Sequence, residues 1–234
     1  MALSISQTHA LRMVVKPGMR VASLGYPDII SVVTDAPLEY RADSEAICKR
    51  HGLSYRPIPD ADSYFAWLGC KLTVYDIVKE RGSEIICDLN YPLPPTLKAW
   101  NYDIVLDVGT AEHCFNIGQA LINMAGMVKM GGYIIHENPF ASGNHGFYNL
   151  NPTLFADFYT ANGFEVLDLR LVDKTGESWT VPPTRRFQAV GGEVNVFCLA
   201  RRTEVKSFVY PNQSKYAKPV AGVRAEPLKE VVNG

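Results

Sequence analysis

Short apolar runs alternate with segments of helical periodicity along most of the chain. In residues 103–137 an apolar run, 104–106, stops at Asp107, and a second, 133–135, stops at His136. Between them apolar residues recur at a 3.6-residue spacing, at Ile117, Leu121, Met124 and Val128. This pattern predicts a helix that ends at Gly131-Gly132, between two strands. Such a unit requires parallel strands joined by a right-handed crossover.

The same patterns predict seven strands in all, at residues 21–24, 71–77, 84–87, 103–107, 133–135, 164–172 and 193–202. They also predict helices at residues 35–51, 61–68, 117–130 and 152–161, after an amphipathic lead-in over residues 1–16. The long loop between the last two strands permits them to pair antiparallel. We therefore expect an α/β fold: a doubly wound, seven-stranded, mostly parallel sheet with helices on both faces.

The domain organisation follows from where this alternation stops. Periodicity is sustained to Arg202, and residues 203–234 contain three prolines and scattered lysines without a regular pattern. We expect one domain over residues 1–202, followed by an extended C-terminal tail over residues 203–234.

Composition and charge are those of an ordinary globular protein. Apolar residues make up 47% of the chain, charged residues 20%, and the net charge is -1. That charge gives no general attraction to nucleic acid or to acidic membranes. The five cysteines include no CxxC pair and suggest buried free thiols in a reducing compartment. With no signal sequence or membrane span visible, the expectation is a soluble cytoplasmic protein, with homo-oligomerisation left open.

Candidate functional residues follow the predicted strands. Gly25, Asp76, Asp88 and Asp107 each come at or just after the end of one strand. In an open parallel sheet the carboxyl ends of the strands share one edge, and ligands bind there. The order of these residues resembles that of class I S-adenosylmethionine (SAM)-dependent methyltransferases, over residues 15–202. The resemblance is closest to a bacterial branch with a GT.EH segment, here at 109–113, and an NHGFYN.NPTLF segment, here at 144–155.

The resemblance implies a SAM site with specific contacts. Gly25 and Tyr26 take the place of the glycine-rich loop beside the methionyl part of SAM, where a residue without a Cβ permits close approach. Asp76 takes the place of the acidic residue that accepts hydrogen bonds from both ribose hydroxyls, since a carboxylate has two acceptor oxygens. Asp88 takes the place of the residue that accepts from the adenine amine.

Three further positions complete the implied cofactor site. Leu89 would pack on the adenine ring, and Asp107 with Gly109 would lie near the transferred methyl group. The glycine loop departs from the family pattern, because Gly25 is followed by Tyr26-Pro27-Asp28 rather than by further glycines. This departure motivates an alternative function, a binding or structural protein that has kept the fold without catalysis.

The histidines are candidates for acid–base chemistry. A histidine needs little pKa adjustment to accept a proton near neutral pH. His145, in the glycine-rich segment SGNHGF, is the first candidate for a base that takes the proton from an acceptor hydroxyl, followed by His113 and His136. The catalytic set is then His145, His113, His136 and Asp107. The acceptor would be a small hydroxyl compound of the sugar or nucleotide-linked sugar class.

Two other functions compete for the same residues. Asp107, Glu112, His113 and His136 are also metal-ligand types, but their spacing matches no closed metal motif, so no metal site is assigned. A nucleotide-dependent dehydrogenase would be expected to carry GxGxxG after the first strand, and the sequence there is LGYPD.

Overall fold

The computed structural model describes residues 2–31, 38–79, 81–94, 102–182, 185–187 and 191–216 of the 234-residue chain. The strands are β1 (Arg20–Leu24), β2 (Lys71–Asp76), β3 (Ile85–Ile86), β4 (Tyr102–Asp107), β5 (Val128–Ala141), β6 (Phe164–Asp173), β7 (Ser178–Thr180) and β8 (Val194–Arg202). The helices are α1 (Ile5–Val14), α2 (Ser44–Arg50), α3 (Ala61–Trp67), α4 (Ile117–Met127) and α5 (Pro152–Ala161).

The strands form one sheet in the order β3-β2-β1-β4-β5-β8-β6-β7. Strands β1 to β5 pair in parallel. β8 lies antiparallel between β5 and β6, and β7 pairs antiparallel with β6. The predicted doubly wound, mostly parallel α/β sheet and the antiparallel last pair are therefore confirmed. The described sheet has eight strands rather than seven, because the loop after β6 contains the three-residue β7, which is too short to show periodicity.

The two faces of the sheet bury separate cores. Neighbouring residues of one strand point to opposite sides, so Ile104 joins the core under α1 and α3 while Val105 joins the core under α4 and α5. Val21 and Ala22 of β1 divide in the same way. A strand covered on both faces is apolar at most positions, which explains why β1 and β4 appear in the sequence as mostly apolar runs. The buried polar exceptions have hydrogen-bond partners: the Ser23 hydroxyl, for example, donates to the Gly25 carbonyl at 2.8 Å.

The predicted helix over residues 35–51 is shorter than expected. Residues 35–37 lie outside the described residues, and α2 begins only at Ser44. Before it, Tyr40 forms a β-bridge with Pro59, the Arg41 N–H donates to the Ile58 carbonyl at 2.8 Å, and residues 42–43 form a turn. Pro37 disfavours helical backbone at the residue before it, which weakens a helix starting at residue 35. Gly52 follows the helix with φ 63°, as a C-terminal glycine does.

The helix before β5 ends earlier than predicted. α4 stops at Met127, and Val128 already pairs with Tyr102. The register then shifts, so that Ile104 pairs with Tyr133, and Gly131-Gly132 lie inside the strand. A Cβ on Gly132 would lie 2.8 Å from the Asp103 carbonyl oxygen. Gly132 therefore serves a close approach of two strands, and Gly131 adopts a φ of 78° inside the strand, so neither glycine ends a helix.

The described part of the predicted tail lies against the domain. The Thr203 N–H donates to the Gly163 carbonyl at 2.8 Å, and the Val209 N–H donates to Asn162 Oδ1 at 2.7 Å. Residues 217–234 lie outside the described residues, and a domain boundary at residue 202 stays a prediction.

Two further expectations concern thiols and membranes. All five cysteines are free and buried, as predicted. In the described part of the chain, no helix is both long enough and apolar enough to cross a membrane.

Candidate functional site

The predicted strand-end residues lie along one edge of the sheet. Leu24, the last residue of β1, pairs with Tyr75 on one side and with Asp107 on the other. Gly25, which follows Leu24, therefore lies beside the carboxyl ends of β2 and β4, next to Asp76 and Asp107. The strand order reverses between β1 and β4, so this edge is a topological switch point.

The chain turns sharply at Gly25. Its φ is 84°, a conformation that favours glycine, and its N–H donates to the Tyr75 carbonyl at 2.7 Å. The Thr110 hydroxyl donates to the Leu24 carbonyl at 2.6 Å and connects the loops after β1 and β4.

Asp76 and Asp88 each keep one carboxylate oxygen open. Asp76 Oδ1 accepts from the N–H groups of Ile77 and Val78, at 2.7 and 3.3 Å. Asp88 is exposed, and its Oδ1 accepts from the backbone and side-chain N–H groups of Asn90, each at 2.9 Å. No described residue donates a hydrogen bond to Oδ2 of either aspartate. Each side chain is oriented by local bonds, with one acceptor free for a ligand.

Tyr26 is part of a buried charged network rather than an open loop. The guanidinium groups of Arg41 and Arg81 both lie over its ring, 5.4 and 5.1 Å from the ring centroid. Its hydroxyl donates to Asp60 Oδ2 at 2.8 Å. Burial, and then this hydrogen bond to Asp60, raises the pKa of Tyr26 to about 12. Tyr26 therefore stays neutral and fixes the shape of the loop after β1.

Leu89 points into the core, whereas two apolar residues beside Asp76 are exposed. Leu89 is 6% exposed and packs with the buried residues under α4 and α5. Ile77 and Val78 are 62% and 47% exposed. They are not among the predicted site residues, although their sequence signal is visible: two apolar residues directly follow a strand-end aspartate.

Asp107 and His136 are paired with each other inside the protein. Both side chains are fully buried, and His136 Nδ1 donates to Asp107 Oδ2 at 2.7 Å. The Tyr159 hydroxyl donates to His136 Nε2 at 2.5 Å. Both imidazole nitrogens are thus occupied, and neither side chain reaches the surface.

The environment of Asp107 keeps it ionised. Burial alone would raise the pKa of Asp107, but hydrogen bonds from His136, Asn138 and the Thr110 N–H outweigh burial and lower it. Burial raises the pKa of Tyr159 well above its ordinary value. The three side chains form a charged, satisfied unit that holds β4, β5 and α5 together.

Glu112, His113 and His145 form a second cluster at the same edge. Glu112 follows β4 in a short 3₁₀ helix, Ala111–His113, and its side chain is 1% exposed. Glu112 Oε1 lies 3.5 Å from His145 Nε2 and 3.9 Å from His113 Nε2. The two imidazole centroids are 5.4 Å apart. The tertiary structure thus brings together two predicted histidines and a glutamate that sequence analysis considered only as a metal-ligand type.

Burial and neighbouring charge shift the pKa values of this cluster. Burial, and then the nearby Asp107 carboxylate, raises the pKa of Glu112 to about 7. Burial, and then the imidazole of His145, lowers the pKa of His113. Perturbed groups of this kind at a ligand-binding edge are typical of functional sites.

The loop after β5 reaches this cluster through close backbone packing. The Phe147 N–H donates to the Glu112 carbonyl at 2.9 Å. A Cβ on Gly146 would lie 2.9 Å from the same carbonyl oxygen. Asn144 adopts a φ of 56°, which turns the chain just before His145. Gly109, in the segment after β4, has φ 88°, and a Cβ there would lie 3.3 Å from Glu112 Oε1.

An exposed aromatic pair lies beside the cluster in sequence and in space. Phe115 and Phe147 are 71% and 65% exposed, and their rings meet edge to face at 5.5 Å. The Tyr148 hydroxyl donates to the Phe115 carbonyl at 2.8 Å. These contacts hold the exposed rings of Phe115 and Phe147 in place next to the Glu112 segment.

Comparisons with known proteins concern the fold. No family model matches the sequence, and no curated protein matches it. Similar solved structures include the 1,6-didemethyltoxoflavin-N1-methyltransferase of Burkholderia thailandensis with bound S-adenosylhomocysteine, at 15% identity and TM-score 0.48, covering 86% of this chain and 76% of that chain.

Two other similar structures are of proteins with different activities. The 16S rRNA (adenine(1408)-N(1))-methyltransferase of Catenulisporales acidiphilia has 11% identity and TM-score 0.45, covering 87% of this chain and 95% of that chain. The [4+2]-cyclase SpnF has 10% identity and TM-score 0.47, covering 85% of this chain and 80% of that chain.

Proposed function

We propose that this protein is a SAM-dependent methyltransferase that transfers the methyl group to oxygen on a small acceptor. One observation carries the proposal: a glycine turn and two carboxylates with open oxygens follow three neighbouring parallel strands, at the sheet edge that contains the switch point. Gly25 follows β1, Asp76 ends β2, and Asp88 follows β3. This edge is where such sheets bind nucleotides.

In the proposed complex the cofactor lies across the ends of β1 to β4. The main chain at Gly25 approaches the methionyl part, the open oxygen of Asp76 accepts from a ribose hydroxyl, and the open oxygen of Asp88 accepts from the adenine amine. The exposed Ile77 and Val78 supply an apolar surface for the adenine ring, a role that the resemblance had implied for Leu89.

The acceptor would bind near Glu112, His113 and His145. His145 and His113 both reach the surface at this edge, so either could remove the proton of an acceptor hydroxyl. We take His145 as the first candidate and His113 as the second. Asp107 and His136 are buried and would support the segment that carries Glu112 rather than contact the acceptor. The exposed rings of Phe115 and Phe147 offer flat apolar surfaces that suit one face of a sugar ring, so we keep a sugar or nucleotide-linked sugar as the acceptor class.

The test is calorimetric titration with SAM and with S-adenosylhomocysteine. Wild-type protein should bind both in the micromolar range, and Asp76→Ala should bind about 10- to 100-fold more weakly, the loss expected for hydrogen bonds to a charged group. Asp173→Ala is a matched control, because Asp173 also ends a strand and accepts from nearby backbone N–H groups, but on β6.

Equal binding by wild type and Asp76→Ala would contradict the assignment of the ribose site. Well-folded wild-type protein that binds neither ligand would favour the alternative, a protein that keeps the fold for binding without methyl transfer.

A further inference from the structure

Three side chains at the acceptor end of the site form an arrangement that hydrogen bonding does not explain. One ligand atom each from Glu112, His113 and His145 lies within 4.8 Å of the others. The carboxylate comes from the segment after β4, one imidazole from the adjacent residue, and the other from the loop after β5. The backbone contact of Phe147 with Glu112 holds these two segments together.

The Glu112 Oε1 atom, which both histidines face, lacks a hydrogen-bond partner among the described residues. Glu112 Oε1 is buried and makes no hydrogen bond with any described residue. Leaving a buried carboxylate oxygen unpaired costs free energy, so such a group is expected to have a partner. Its nearest polar neighbours are the two imidazole Nε2 atoms, at 3.5 and 3.9 Å. The oxygen therefore points into the space that the histidines surround.

The other oxygen of Glu112 is held firmly. Glu112 Oε2 accepts from Asn138 Nδ2 at 2.9 Å, and the same nitrogen donates to Asp107 Oδ2 at 2.9 Å. A carboxylate oriented by an outer hydrogen bond, with one oxygen left free, is the usual state of a metal-binding carboxylate. The two histidines, about half exposed, leave the opposite side of the cluster open to solvent.

We propose that Glu112, through Oε1, and His113 and His145, through Nε2, bind one divalent transition-metal ion. Two imidazole nitrogens and one carboxylate oxygen, with open positions, are a ligand set typical of Zn²⁺ or Fe²⁺ sites. Mg²⁺ and Ca²⁺ prefer oxygen ligands and fit this set poorly. Asp107 and His136, which sequence analysis grouped with Glu112 and His113 as metal-ligand types, are excluded because they bind each other.

The ion would also change how the acceptor is activated. A metal-bound hydroxyl would lose its proton to solvent water more readily than a free one, because the ion stabilises the oxyanion. The oxyanion would then attack the methyl group of SAM, and S-adenosylhomocysteine would leave. With the ion bound to Nε2 of both histidines, solvent rather than His145 or His113 would accept the proton. This catalytic role rests on the proposed function, whereas metal binding itself does not.

The experiment measures binding of Zn²⁺ and Co²⁺ by untagged full-length protein treated with a chelator. Wild type should bind one Zn²⁺ per chain in calorimetry, and bound Co²⁺ should give visible absorption that reports its ligand geometry. Glu112→Gln, His113→Ala and His145→Ala should each lower the affinity at least tenfold. His9→Ala is the control, because His9 is an exposed histidine of α1 and is outside the cluster.

The variants should remain folded, because His113 and His145 are about half exposed and Gln keeps the shape of Glu112. Thermal unfolding of each variant verifies this. Wild type that binds Zn²⁺ and Co²⁺ no better than His145→Ala would overturn the metal site, as would loss of binding in His9→Ala alone. Titration of the metal-free protein with SAM separates the proposals, since metal binding without SAM binding refutes only the proposed cofactor.

Discussion

Single residues decide whether the two halves of the candidate site meet. Glu112 and His145 are 33 positions apart in the chain, and the contact depends on the absence of a side chain at Gly146. A Cβ on residue 146 would lie 2.9 Å from the Glu112 carbonyl oxygen, too close without a shift of the backbone. Gly143, in the same loop, faces open space, and a Cβ there would have nothing within 4 Å.

Substitution of Gly146 by alanine should therefore destabilise the protein and disturb the cluster. We expect a loss of about 1–3 kcal/mol in the free energy of unfolding, because the loop must shift away from Glu112. Gly143→Ala should change stability by less than about 0.5 kcal/mol. Urea unfolding of both variants measures the difference, and equal stability would contradict close packing at Gly146.

At the scale of elements, one buried side chain fastens the described part of the C-terminal segment to α5. Asn162, fully buried, accepts from the Val209 N–H at 2.7 Å and donates to the Val209 carbonyl at 3.0 Å. It also donates to the Phe158 carbonyl, at 2.8 Å, within its own helix end. Phe208 packs against the core beside it. The segment is thus attached to the end of α5 by two hydrogen bonds between the Asn162 side chain and the backbone of Val209.

Asn162→Ala should cost about 1–3 kcal/mol in the free energy of unfolding, since it leaves the partly buried backbone N–H and carbonyl of Val209 without these partners. Limited proteolysis should then cut residues 203–216 faster than in wild type. Asn149→Ala is the control, because Asn149 is exposed and accepts one hydrogen bond, from the Ser142 N–H. Identical proteolysis of Asn162→Ala and wild type would show that the segment is held by other contacts.

At the scale of the whole molecule, ionised carboxylates make stability depend on pH. Burial alone would raise the pKa of Asp103, but hydrogen bonds from the Arg20 N–H and Lys129 outweigh it and lower the pKa. A folded-state pKa below the unfolded value means that the stabilisation is present above the unfolded pKa, about 3.9. It is lost as pH falls through the folded value.

Asp103→Asn should thus be less stable than wild type at pH 7, by about 1 kcal/mol, because Lys129 is partly exposed and solvent screens the pair. The difference should shrink as pH falls below about 4. Asp62→Asn is a control of opposite sign, since burial and then Asp60 raise the pKa of Asp62. The Asp62→Asn variant should therefore be at least as stable as wild type at pH 7. Urea unfolding from pH 7 to pH 3 tests both, and a constant gap for Asp103→Asn would contradict the pKa shift.

The sequence by itself determined the fold class and the positions of the strand-end residues. Apolar runs and helical spacing are local properties, and a strand buried on both faces is apolar at most of its positions. The order of Gly25, Asp76 and Asp88 along the chain therefore sufficed to place them on one edge, once parallel pairing followed from the alternation of strands and helices.

Only the tertiary structure decided which of these groups are free to act. Burial and hydrogen-bond partners come from segments distant in sequence: His136 is occupied by Asp107 and Tyr159, whereas His145 and His113 lie beside the open oxygen of Glu112. Periodicity carries no information about such pairings. It could not reveal that Leu89 turns inward while Ile77 stays exposed, because both are apolar residues next to a strand end and packing from other elements makes the difference.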